Sequence, residues 1–253
     1  MNIYINNRNL LTWPKKMAEI FATQGHNVTI VDNNSSWPPL LDWYNKCPHK
    51  VARINNNDFG CGSPWWSNII TDISEHYVTC DADLGLEDVP SDWPDVCIEA
   101  LEKYNVPKIG LSLKDTDCPS QNPAYLIDQF DKFPKGNPDV WKWYDDKGKY
   151  CNFPVDYHFN VWNKNERPTN FATYPCGIRT NKPYTARHLP WHLVMKKDKK
   201  EKSFQIEMTD EFCHYYLASK HIFSVTSHRF TDRTNWIKKY KNYEKLFAQS
   251  TRD

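Results

Sequence analysis

Apolar residues along the chain switch repeatedly between two periods, and the switching predicts the elements. Residues 3–5 (Ile3, Tyr4, Ile5) read as a short buried strand. Residues 12–24 follow with Trp13, Met17, Ile20 and Phe21 at helical spacing, Thr12 as N-cap, Pro14 in the first turn and Gly25 as the stop. Residues 27–33 form a β-branched strand that runs into the polar turn Asn33-Asn34-Ser35-Ser36. The pattern continues with a helix at 38–44, a strand at 51–54, a polar loop at 55–62, a helical turn or two at 67–75 and a strand at 76–80. A helix at 93–104 and a strand at 107–113 complete the regular part.

Strands alternating with helices imply a mostly parallel sheet with helices on its faces. Beyond residue 140 the pattern is less regular. It has a Trp- and Lys-rich passage, a loop rich in Pro and Asn, a helical stretch from residue 208 around Phe212, Tyr215 and Tyr216, and a basic aromatic helix near 235–247. We find no internal repeat and no low-complexity segment.

Composition narrows the class. The 253 residues are 40% apolar and 15% aromatic, enough for one substantial α/β core. Net charge is +1 and the cations are spread along the chain, which argues against a nucleic-acid partner. Eight cysteines without a CxxC pair or dense spacing read as reduced thiols. No apolar run approaches the ~20 residues of a membrane span and no signal peptide is visible at the start, so a cytoplasmic protein is expected. Sequons beginning at Asn27, Asn33 and Asn34 would matter only in a secretory lumen.

The first chemical candidate is Asp81-Ala82-Asp83, two carboxylates directly after the strand at 76–80 and before the apolar Leu84-Gly85-Leu86. Ligands of open α/β sheets bind at the carboxyl ends of the strands. Two carboxylates near apolar residues call for a compensating cation, and oxygen donors suit Mg²⁺ or Mn²⁺. An acidic surface turn is the competing reading. His188, in Arg187-His188-Leu189-Pro190-Trp191, is a second candidate ligand from a distant loop, against a packed histidine with one backbone bond.

These segments together resemble the GT-A glycosyltransferases, specifically a small family 2-like group of bacteria and large DNA viruses. The matching pieces fall between residues 3 and 225: Asn7-Arg8-Asn9, Gln24-Gly25-His26, 30–36, 57–60, 77–83, Gly110-Leu111-Ser112-Leu113 with its acidic tail, and 184–191. The resemblance implies a GT-A fold over one domain, 1–253. Residues 1–115 would bind the nucleotide-sugar, 116–225 would lie on the acceptor side and 226–253 would add a C-terminal helical extension.

By the same resemblance the nucleobase and ribose fall on Arg8, Asp32 and Asn33, with Asn57 and Gly60 on a loop approaching the donor. Asp32 would serve equally as a turn-capping residue, and Arg8 as the partner of a neighbouring carboxylate. His188 would join Asp81 and Asp83 on the metal, and Arg187 would meet phosphate oxygens. Transfer with inversion needs a carboxylate to take the acceptor proton. Asp117 is the first choice, Asp115 its competitor and Asp156 a third. The family continues this last aspartate with small hydroxyl residues, whereas this chain has Tyr157-His158.

The expected partners are a nucleotide-diphosphate sugar, UDP-sugar first, and a glycan or glycoprotein acceptor. Trp65, Trp66 and Trp191 are candidate platform rings, although core packing explains each of them as well. Two alternatives remain at this stage: a nucleotidyltransferase, whose usual glycine-rich opening loop is missing here, and a non-catalytic carbohydrate-binding module.

Overall fold

The computed structural model describes residues 1–55, 60–114, 117, 150–151, 158–168, 178–194, 203–207 and 209–218. The chain opens with strand β1 (Asn2–Asn7), helix α1 (Thr12–Thr23), strand β2 (Asn27–Asn33), helix α2 (Pro38–Tyr44) and strand β3 (Lys50–Ile54). Gly25, at φ +80°, turns the chain from α1 into β2 in a conformation that costs a Cβ-bearing residue ~1–2 kcal/mol. Helix α3 (Ser63–Trp66) then leads to β4 (Tyr77–Asp81) and β5 (Leu84–Gly85). Next come α4 (Trp93–Tyr104), β6 (Lys108–Gly110), β7 (Ser112–Leu113), β8 (Tyr150–Cys151), β9 (Phe159–Trp162), β10 (Ile178–Thr180) and β11 (Thr185–His188). Strands β12 (Leu193–Val194) and β13 (Ile206–Glu207) and helix α5 (Asp210–Ala218) follow.

Among the described residues eight strands form one sheet in the order β3-β2-β1-β4-β9-β6-β10-β8. The first four are parallel to one another, and β6 and β10 run with them. Strand β9 is antiparallel to both neighbours, β4 and β6, and β8 is antiparallel to β10. This is the mixed α/β, mostly parallel architecture that the alternating pattern implies. Ile3, Ile5, Val28, Val78, Cys80, Ile109, Val161 and Ile178 supply the sheet's share of one core, which α1 covers with Trp13, Met17 and Phe21 and α4 with Trp93, Val96 and Leu101.

Three expectations are corrected. The helix placed at 67–75 lies earlier, at Ser63–Trp66, with Pro64 in its first turn. It stops at Asn68, which takes φ +57°, and Asp72 then caps the Ser74 N–H in a tight turn. The strand at 107–113 is broken after Gly110, so that β6 stays in the main sheet while β7 pairs with β11. Thr12 is the first helical residue and not the N-cap, and the Glu211 carboxylate from α5 accepts from the Leu11 and Thr12 N–H groups. Strands β8 to β13 fall where the pattern looked irregular. The helix expected at 235–247 lies outside the described residues.

Candidate functional site

The carboxyl ends of β1, β2 and β4 share one edge, because the register pairs Asn6 with Asp81 and Asn7 with Asp32. Strand β4 is buried until Asp81, and the Ala82 N–H still donates to Asn6 O at 3.2 Å. The chain then turns into β5, leaving Asp83 only 3% exposed. Strand β11 pairs with β5, His188 opposite Leu84, and the Leu189 N–H donates to Asp83 O at 2.9 Å. This pairing sets His188 Nε2 3.4 Å from Asp83 Oδ2.

A second histidine arrives from the other side. Because Cys80 pairs with Phe159 across the β4/β9 ladder, the residue before β9 faces the end of β4. His158 O accepts from the Asp81 N–H at 2.9 Å, and His158 Nδ1 lies 3.4 Å from Asp81 Oδ2. The His158 and His188 rings stand 4.2 Å apart between centroids, tilted by 43°. Donor atoms of Asp83, His158 and His188 all lie within 4.8 Å of one another. From α5 the Tyr215 hydroxyl donates to Asp83 Oδ2 at 3.0 Å.

Burial pushes the Asp83 carboxyl up, but the facing His188, His158 and Tyr215 outweigh it and hold it below its ordinary value. Asp83 Oδ1 is buried and accepts no hydrogen bond among the described residues. A buried carboxylate oxygen without a donor is costly, and a cation held by one carboxylate and two imidazoles would satisfy it. The donor set therefore fits a divalent metal ion.

Beside this cluster lies a group of polar side chains at the ends of β1 and β2. Asp32 is fully buried and both its oxygens are engaged: Oδ1 by the Tyr44 hydroxyl at 3.0 Å, and Oδ2 by Arg53 Nε and the Ser35 N–H, each at 3.2 Å. Burial lowers the pKa of the Arg8 guanidinium against the pull of Asp32, and the buried Arg8 Nε has no partner among the described residues. Asn33 donates to the Asn6 side chain, while its own Oδ1 is buried without a donor among the described residues. Gly60 O accepts from Asn6 Nδ2 at 3.4 Å.

Two further sequence candidates, Arg187 on β11 and Asp117, form a group of their own. Arg187 reaches Asp117 Oδ2 through Nε and Nη2, both at 2.9 Å, and also contacts Asp88. Lys114 Nζ lies 3.0 Å from Asp88 and 3.2 Å from Asp117. Burial works to raise the Asp117 carboxyl, but the bonds from Arg187 and Lys114 prevail and keep it below its ordinary value, hence ionised near neutrality. Asn57, Asp115 and Asp156 lie outside the described residues.

The structure thus gathers Asp83 and His188 in one cluster, with Asp81 at its rim facing His158. It places Arg8, Asp32 and Asn33 together at the neighbouring edge, and Arg187 with Asp117 in a separate four-charge network. His158, Tyr215, Tyr44, Arg53, Asp88 and Lys114 were missed. For His158 the usable signal was a histidine directly ahead of the apolar run Phe159, Val161, Trp162. Trp65 is buried in a smaller core cluster with Tyr77 and Trp162. Cys47 and Cys80 are free thiols, and no helix among the described residues is long and apolar enough to cross a membrane.

No protein-family model matches the chain, and no curated protein matches it with significance. Solved structures that resemble it in part include two of S. aureus TarS. The crystal structure of S. aureus TarS residues 1–349 aligns with a TM-score of 0.36 and 15% identity, over 47% of this chain and 37% of that one. The same TarS fragment in complex with UDP aligns with a TM-score of 0.31 and 15% identity, over 45% and 35% respectively. The chain thus spans little more than a third of the length of either.

Proposed function

We propose that the protein is a metal-dependent glycosyltransferase that moves a sugar from a nucleotide-diphosphate donor to a hydroxyl of a glycan or glycoprotein. The observation that carries this reading is the buried Asp83 carboxylate, facing two imidazoles at the end of β4, with Arg8 and Asp32 along the same sheet edge. Asp83 and His188, with Asp81 at the rim, would hold Mn²⁺ or Mg²⁺, which supplies Lewis-acid stabilisation of the leaving diphosphate.

The chain's own groups do the rest. Arg8, its Nε buried and unpaired among the described residues, meets phosphate oxygens. Asn33 Oδ1 accepts from a ribose hydroxyl or a base N–H, and Asp32 with Tyr44 and Arg53 keeps that edge rigid. In an inverting transfer the acceptor oxygen bonds to the anomeric carbon as the bond to the diphosphate breaks. Asp117, ionised beside Arg187 and Lys114, takes the hydroxyl proton. Asp115 and Asp156 are the competing bases.

The test is heat stability of the purified protein with UDP, GDP or TDP, with and without Mn²⁺, for the wild type and Asp83→Asn. UDP is tried first. A nucleotide at ~100 times its dissociation constant should stabilise the fold by ~2.7 kcal/mol. The expected result is stabilisation by one nucleotide that needs the metal and disappears in Asp83→Asn. Indifference to every nucleotide with metal present would overturn the proposal.

A further inference from the structure

We infer that His158 is the third protein ligand of the candidate metal site and that Asp81 is its positioning residue, so that the site takes Mn²⁺ in preference to Mg²⁺. The inference rests on the reading of this cluster as a metal site and is independent of which group is transferred.

Four observations support it. The antiparallel placement of β9 fixes His158 against the end of β4 through the Asp81 N–H bond to its carbonyl, so its backbone is as well anchored as that of Asp83. His158 belongs, with Asp83 and His188, to the group whose donor atoms lie within 4.8 Å of one another. Two imidazoles stand 4.2 Å apart beside the buried Asp83 carboxylate, whose Oδ1 accepts no hydrogen bond among the described residues, and a cation held by the three side chains would give that carboxylate a further partner. Finally, Asp81 Oδ2 lies 3.4 Å from His158 Nδ1. A carboxylate that close to one ring nitrogen favours the tautomer with the hydrogen on Nδ1 and leaves Nε2 as the metal donor, the way outer carboxylates orient and strengthen histidine ligands.

The arrangement divides the Asp81 and Asp83 pair by role. Asp83, 5% exposed at its side chain, faces the histidines, whereas Asp81, at 25%, braces one of them from the rim. Two imidazole nitrogens and one carboxylate suit transition ions such as Co²⁺ or Zn²⁺ best and Mn²⁺ better than Mg²⁺, which prefers an all-oxygen octahedron.

The test is calorimetric titration of the full chain, free of nucleotide, with Mn²⁺ and with Mg²⁺, and visible absorbance with Co²⁺ as a reporter of nitrogen ligation. The variants are His158→Ala, His158→Asp, Asp81→Asn and Asp81→Ala, with circular dichroism to establish folding. The wild type should bind Mn²⁺ more tightly than Mg²⁺. Asp81→Ala should weaken Mn²⁺ by ~10–100-fold, the usual cost of an outer-shell partner, and Asp81→Asn by less, since an amide oxygen can still face Nδ1. His158→Ala should lose more than Asp81→Ala and shift the Co²⁺ spectrum. His158→Asp should bind again with the preference turned toward Mg²⁺, an outcome that a merely structural histidine would not produce. Wild-type affinity and an unchanged Co²⁺ spectrum in His158→Ala would overturn the inference and leave the metal-site reading standing. A wild type that binds no divalent cation would overturn both.

Discussion

At the scale of single residues, His192 is the clearest case of burial setting a charge state. It is fully buried, its Nδ1 lies 3.2 Å from Phe204 O and therefore carries the hydrogen, and its ring packs edge-on against Phe204. Burial pushes its pKa down to about 4, against the pull of Asp117. An unfolded histidine keeps a pKa near ~6.5, so between pH 6.5 and 4 the unfolded chain binds a proton that the folded chain refuses. The stability held above pH 6.5 is therefore lost as pH falls toward 4, by roughly 3 kcal/mol in all. Urea unfolding across that window should show the decline, and His192→Gln, which keeps a donor for Phe204 O, should flatten it. Residues of this kind were only partly legible. Asp81 and Asp83 stand out because strand and carboxylate are contiguous in the chain, and His188 because it lies in a motif. His158 reaches Asp81 only through a ladder between segments 77 positions apart, which no local pattern encodes.

Elements tell the same story at larger spacing. The extent of α1 follows from Trp13, Met17 and Phe21 on one face, but its cap does not. The Glu211 carboxylate, supplied from 200 positions away, takes the first two orphan N–H groups and sits where the helix dipole favours negative charge. Glu211→Ala should cost about 1–2 kcal/mol in urea unfolding, the range for loss of a side-chain cap, and Glu211→Gln less, since one oxygen still accepts. Helix α5 does more than cap. Its Tyr215 donates to Asp83 and its His214 stacks on Trp37, at 5.7 Å between ring centroids. One short helix thereby touches α1, the turn before α2 and the candidate metal cluster. Periodicity revealed that helix but could not say where it docks, since docking depends on the sheet edge already being assembled.

In the molecule as a whole, β9 joins the parallel half of the sheet to β6 and β10, and Trp162 is its anchor. The ring stacks on Tyr77 at 6.2 Å with planes 9° apart, meets Trp65 edge-on at 5.3 Å and donates Nε1–H to Thr79 Oγ1 at 2.9 Å. Lys108 Nζ lies 5.1 Å from its centroid. Trp162→Ala should destabilise the fold by about 3–5 kcal/mol, read from the denaturation midpoint, because a large cavity would open between two strand pairs. The strand, helix, strand alternation made the parallel half legible. The inserted antiparallel strand was not, because four residues, Phe159 to Trp162, are too short a run to announce a partner. That insertion also orders events during synthesis. On the ribosome β4 emerges some eighty residues ahead of the strand that covers its flank. Throughout that interval the nascent chain carries an open, apolar sheet margin next to its carboxylates, the kind of edge that invites pairing with other chains. That late strand brings His158 with it, and the candidate site is complete only when His188 on β11 and Tyr215 on α5 have followed.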